Sequence, residues 1–166
     1  MAFENTRIYT SSDSTSRVSL DDAGKLLLRL TVAALMLFHG IDKVVHGIAG
    51  IQRIMVRNGF PEQMAYGVYL GEIVAPLLII IGLWTRSAAL LYAFTVVFAT
   101  ALVHAADYAI VRPNGAYGGE LWLFYIVGAL AVALLGAGRY SVTSAKVRHI
   151  GRTIKRHFAA KLVGRV

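Results

Sequence analysis

The stretch "ALMLFHGIDKVVHG", Ala34 to Gly47, carries four ionisable side chains in about two helical turns: His39, Asp42, Lys43 and His46, at i, i+3, i+4 and i+7. On a helix this spacing gathers them into one stripe. Further along, Glu72 stands among apolar residues in "YLGEIVAPLL", His104 and Asp107 lie three apart, and Glu120 opens a last apolar run. Imidazoles and carboxylates held together can relay protons, hydrogen-bond the carbonyls of a small ligand, or ligate zinc or non-haem iron. Which of these is open to them depends on the elements that position them.

The 166 residues are 57% hydrophobic and 16% charged, one domain that is too apolar for an ordinary soluble fold and that points to a membrane as solvent. In a soluble protein a net charge of +8 would suggest nucleic acid. Here the placement of the basic residues around apolar spans gives them another role, and no nucleic acid is expected. Cysteine is absent, which excludes thiolate metal sites, attached haem and cysteine-held iron–sulfur clusters. Any redox chemistry therefore needs a bound carrier. Residues 1–23 are polar and rich in Ser and Thr, so they read as a flexible tail and not as a secretory leader.

Four apolar segments follow, at 24–41, 66–85, 87–106 and 121–137, each near the roughly 20 residues that cross a bilayer. The link "GLWTRSA" is a tight turn that makes the second and third an antiparallel pair. The longer links at 42–65 and 107–120 then lie together on the opposite side. Thirteen basic residues fall on the side of the termini and the tight turn: Arg7, Arg17, Lys25, Arg29, Arg86, and eight from Arg139 onward. Lys43, Arg53, Arg57 and Arg112 fall on the other. Short basic loops stay in the cytoplasm, so both termini are expected there. The expected fold is all-α, an integral membrane antiparallel four-helix bundle over 24–140 in a bacterial or archaeal inner membrane.

The tail 141–166 places Val147, Ile150, Ile154, Phe158 and Leu162 three or four apart among basic residues. This suits an interfacial helix on anionic lipid headgroups, with docking of a soluble partner as the alternative. In the longer link, Ile48, Ile51, Ile54 and Met55 predict a short surface helix that stops at Asn58-Gly59, before Pro61.

Orientation turns position into depth. His39, Glu72, His104 and Glu120, one from each span, all fall in the outer half of the expected bundle, together with Asp42, Lys43 and Asp107. Glu72 is the most informative of these, because an intramembrane carboxylate costs a few kcal/mol by insertion scales and normally turns toward partners inside the protein. The cluster reads as a structural knot of paired charges, as a quinone pocket in which His39 or His104 meets a carbonyl and Glu72 accepts protons, as a metal site of His39, Glu72 and His104, or as a solute path. No HExxH or ExxH spacing supports the metal, which ranks below the quinone as a cofactor.

Arg29 is expected to snorkel to the inner headgroups, with an internal pair to Glu72 as the alternative. Pro76, one turn after Glu72, can kink its helix and free a carbonyl. Trp84, Tyr66, Tyr69, Tyr108 and Tyr117 fit an aromatic belt, and Gly128 and its neighbouring alanines fit close helix packing.

The ordered set "LLLRL" at 26–30, Gly40 with Lys43, "GFP" at 59–61, Glu72, "GLWTR" at 82–86, His104 and "GAGRYS" at 136–141 resembles the DoxX family. The match covers about 24–141 and carries over Arg29, Gly40, Lys43, Glu72, Thr85, Arg86 and His104. One position departs, since an Asp usually stands two residues beyond "YS", where this chain has Thr143. The resemblance implies a small four-helix membrane protein, described in the family as a membrane subunit of quinone-linked oxidoreductase systems, with redox-enzyme subunits as partners. The competing expectation is a non-catalytic membrane adaptor or assembly factor whose polar cluster is structural.

Overall fold

A computed structural model describes residues 12–144, with side chains from Leu20 onward. The expected C-terminal amphipathic helix lies outside the described residues. Among those described the chain is helical without strands, apart from one isolated bridge between Val111 and Tyr117.

Helix α1, Ser12–His46, begins inside the segment read as a polar tail. An i, i+4 pair of Lys25 Nζ with Asp21 Oδ2 at 3.0 Å supports that early part, with the acidic member on the favourable N-terminal side. Helix α1 ends where Gly47 takes φ 81. Helix α2, Ala49–Arg57, is the short amphipathic helix predicted from the isoleucine spacing. It stops at Asn58-Gly59, with Gly59 at φ 80 and the Phe60 N–H returning to the Met55 carbonyl at 2.9 Å.

Helix α3, Glu62–Ile81, is irregular: a 3-10 turn at Glu62–Tyr66, a short α segment, a π-helical turn at Leu70–Val74, and an α segment at Ala75–Ile81. The π turn has a local cause. Pro76 has no N–H to give the carbonyl four residues back, which is that of Glu72, so the ordinary ladder is interrupted there. Its end is sharp. The Leu83 N–H reaches the Leu78 carbonyl at 3.0 Å around Gly82 at φ 74, a pairing that closes a helix with a left-handed glycine. Trp84 follows at φ 46, the one non-glycine described residue with positive φ, and helix α4, Thr85–Val103, starts directly after it.

A 3-10 turn at Ala105–Ala109 and a loop lead to helix α5, Glu120–Leu135. Three helices, Leu20–His46, Glu62–Ile81 and Thr85–Val103, are long and apolar enough to cross a membrane, while Glu120–Leu135 is apolar but shorter. At 1.5 Å per residue its 16 residues reach about 24 Å, less than a bilayer core.

The helices pack through small residues. A side chain on Gly71 of α3 would overlap Thr95 of α4, and one on Gly40 of α1 would overlap the Glu72 carbonyl. Gly71 and Thr95 stand nearly equal numbers of residues from the Gly82–Trp84 turn, which fixes α3 and α4 as antiparallel neighbours. Helix α5 packs on α4 and on α1, where Gly128 meets Val32. A core of Val32, Ala33, Ala75, Ile79, Ala89 and Tyr92 fills the middle, and the buried Tyr92 hydroxyl donates to the Val32 carbonyl at 3.2 Å.

Arg29 does not snorkel toward the inner headgroups as expected. It is 2% exposed and donates to the carbonyls of Ala137, Tyr140 and Ile80, which belong to the loop after α5 and to the end of α3. Those carbonyls are the unpaired acceptors of helix ends, and a planar guanidinium can serve several at once. Thr143, where the family resemblance led one to expect Asp, donates through its hydroxyl to the Gly82 carbonyl at 2.8 Å. The end with the Gly82–Trp84 turn is thereby tied shut across three segments. The opposite end, with α2 and the 105–119 loop, holds the ionisable cluster.

Candidate functional site

The deepest element of the site is a pair. Lys43 Nζ of α1 lies 2.5 Å from Glu72 Oε2 of α3, with Glu72 only 7% exposed. Depth explains the choice of partner. Arg29 lies 14 residues before Lys43 on the same helix, about 21 Å away along the axis, and so cannot reach Glu72. The Gly40 contact with the Glu72 backbone brings the two helices close enough for Lys43, one turn further on, to curl onto the carboxylate. The Lys43 carbonyl in turn accepts from the Tyr69 hydroxyl at 3.3 Å.

Two further groups stand around this pair. His39 sits one turn before Lys43, with Nε2 3.4 Å from the Tyr125 hydroxyl of α5 and the rings edge to face at 5.9 Å. His104 closes α4, its N–H bonded to the Thr100 carbonyl at 2.8 Å. Its Nδ1 lies 2.7 Å from Asp107 Oδ2, and its ring stacks on Trp122 at 4.8 Å. An imidazole held at Nδ1 by a carboxylate has its orientation fixed and its other nitrogen free for a ligand. The Tyr108 hydroxyl, donating to Thr100 Oγ1 at 2.9 Å, secures the loop that carries Asp107.

Lys43, Glu72, His39, His104, Trp122 and Tyr125 all line one cavity of about 510 Å³, whose remaining lining is mainly apolar. Pockets for small molecules commonly measure about 300–1,000 Å³ and combine apolar walls with a few fixed polar groups. This one offers an ammonium donor, a carboxylate acceptor and two imidazoles.

The expected convergence is partial. Asp42 pairs with His46 at 2.8 Å on the exposed side of α1, and Glu120 is exposed at the start of α5. Neither Asp42 nor Glu120 lines the cavity, and Asp107 acts on it only through His104. His39, Glu72 and His104 do not form the metal site considered for them, because no group of three or more His, Cys, Asp or Glu able to hold a metal occurs among the described residues. Their nearest partners are a tyrosine, a lysine and an aspartate. Arg86 reaches toward the Leu134 carbonyl at 3.5 Å, at the end remote from the cavity.

Tyr125 and Trp122 were not among the residues singled out from the sequence. The available signal was a pair of aromatic residues with polar atoms, Trp122 and Tyr125, one turn apart near the start of the last apolar run, at the depth of His39 and His104.

Comparison with known proteins agrees with the motifs. The model of the DoxX family matches residues 24–105. An uncharacterized protein of Haemophilus influenzae is 32% identical over 111 residues, covering 67% of this chain and 81% of that protein. No solved structure matches the chain with significance.

Proposed function

The chain belongs to the DoxX family of membrane proteins, and from that premise we propose that it binds a lipid-soluble, quinone-like molecule as a membrane subunit of a redox system. In this reading it is a four-span antiparallel bundle of a bacterial or archaeal inner membrane, with both termini cytoplasmic. The short helix α5 completes the crossing together with its flanking loops. The end carrying α2 and the cavity then faces outward, consistent with its few basic residues.

The observation that carries the proposal is the Lys43–Glu72 pair set in a mainly apolar cavity with His39 and His104 also on the wall. A quinone ring presents two carbonyl acceptors on an otherwise apolar body. The Lys43 ammonium and an imidazole N–H can donate to those carbonyls, and Glu72 or a neutral imidazole can take up a proton. The quinone itself supplies the electron chemistry when bound, and the protein's part is to orient it and handle protons. The test is saturable binding of a quinone to the purified protein in lipid nanodiscs, compared with Glu72→Gln. Absence of saturable binding, or binding indifferent to Glu72→Gln in a folded variant, would remove the proposal.

A second reading, a non-catalytic adaptor, is favoured by the tight contacts of Gly40 and Gly71 on either side of Glu72. There the ion pair serves only to hold α1 and α3 in register. It is separated from the first by whether ligand binding or only stability changes when the pair is altered.

A further inference from the structure

The cavity that holds Glu72 is also lined by residues on the outside of the protein. Leu70 of α3 is 54% exposed and Phe94 of α4 is 64% exposed, with Leu91 also exposed, yet all three share the cavity with Glu72, which is nearly buried. The apolar lining therefore runs from the ion pair to exposed residues of α3 and α4 that flank the close Gly71–Thr95 contact, at the level that meets hydrocarbon in a membrane. Phe98, stacked on Phe94 with ring centroids 6.0 Å apart, continues that lining toward the α2 end.

Other parts of the wall are better covered, although the exposed His39, Met64 and Val103 also line the cavity. Over the α2 end, Ile48, Met55 and Ala65 are buried and join Phe60, Val68 and Leu102 in a second apolar core that seats α2 on the ends of α3 and α4. Toward the turn end, Ile79 and Tyr92 fill the interior, and Arg29 ties the helix ends beyond them. The α3 side of this groove also contains the π-helical turn Leu70–Val74, where one ordinary helical hydrogen bond is already missing.

We infer that the ligand enters sideways from the membrane between α3 and α4, and that a hydrocarbon chain on it rests in the groove of Leu70, Leu91, Phe94 and Phe98 while its polar head meets Lys43 and Glu72. This rests on the quinone-like reading and narrows its ligand class: a chain-bearing amphiphile taken from the bilayer, not a small molecule taken from water. A hydrocarbon chain left in that groove keeps contact with apolar surface throughout, so the ring can reach the ion pair without exposing the chain to water.

The test uses the full chain in nanodiscs and a benzoquinone whose alkyl chain ends in a photoreactive diazirine. The labelled residues are mapped by mass spectrometry, with unmodified quinone as competitor. Competed labels on Leu70, Leu91, Phe94 or Phe98 are expected. Leu91→Trp, which narrows the groove from its exposed side, should weaken saturable quinone binding several-fold at unchanged thermal midpoint, whereas Phe124→Trp on the lipid-facing side of α5 should not. Saturable binding with labels on α1 or α5, at Phe38 or Phe124, or with Leu91→Trp indistinguishable from wild type, would overturn the lateral route and leave quinone binding standing. Absence of saturable binding by any quinone would overturn both.

Discussion

Gly40 of α1 lies so close to the Glu72 carbonyl of α3 that no side chain fits between them, and one turn later Lys43 of the same helix meets the Glu72 carboxylate. The two contacts depend on each other. Close backbone approach lets a lysine stem reach across without leaving the helix interface, and the ion pair opposes separation of helices that a membrane does not force together.

Breaking one side of the pair is expected to cost more than removing both. Lys43→Met leaves a buried carboxylate without a partner, a loss of about 3–5 kcal/mol for a buried pair. Lys43→Met with Glu72→Leu should recover most of that. Unfolding of the single and double variants in detergent checks this, and additive losses would show that the two side chains are not coupled.

Glycine substitutions should separate tight contacts from open ones. Gly40→Val and Gly71→Val force apart packed helices, at about 1–3 kcal/mol each. Gly50 in α2 has open space around it and no positive φ, so Gly50→Ala should be neutral or stabilising by about 0.4–1 kcal/mol. Thermal midpoints of the three proteins, measured in one detergent, would rank them.

Arg29→Lys keeps the charge but replaces a planar fork with a point donor, so it cannot serve Ala137, Tyr140 and Ile80 together. A loss of about 1–3 kcal/mol is expected, since charge-assisted bonds contribute about 1.5–3 kcal/mol each and not all are lost. Quinone binding at the far end should be unchanged. A variant as stable as wild type would show that the three carbonyls do not need Arg29.

The proposed orientation predicts that a reporter active only outside the cytoplasm works when inserted at Asn114 and fails when fused after Val166. The reverse pattern would invert the bundle and place the cavity on the cytoplasmic side.

Much of this was readable from the sequence because it depends on local rules. Apolar run lengths predicted the long helices, isoleucine spacing predicted α2, and Asn58-Gly59-Pro61 predicted its end. Glu72 stood out because a carboxylate among apolar residues needs a partner. Its partner was harder to name. At about 100° per residue, Asp42, His46, His39 and Lys43 spread over about 100° of the helix surface, and a list of spacings does not say which edge of that arc turns inward. The structure turns Lys43 in and Asp42 out. Arg29 is hard to read for a similar reason: its partners are backbone carbonyls at distant helix ends, which no side-chain pattern reveals. Polar composition hides the start of α1 at Ser12, and α5 ends two residues before the expected 137 because Gly136 takes φ 76.

Whether the cavity at Lys43–Glu72 binds a quinone-like molecule is decided by a quinone titration of the wild-type protein and Glu72→Gln in nanodiscs, with thermal midpoints taken on the same samples. The expected result is saturable binding near one quinone per chain, weakened by at least about tenfold, or about 1.4 kcal/mol, in a Glu72→Gln protein that remains folded. A wild type that binds no quinone while Glu72→Gln loses stability would contradict it and leave the pair as a structural clasp.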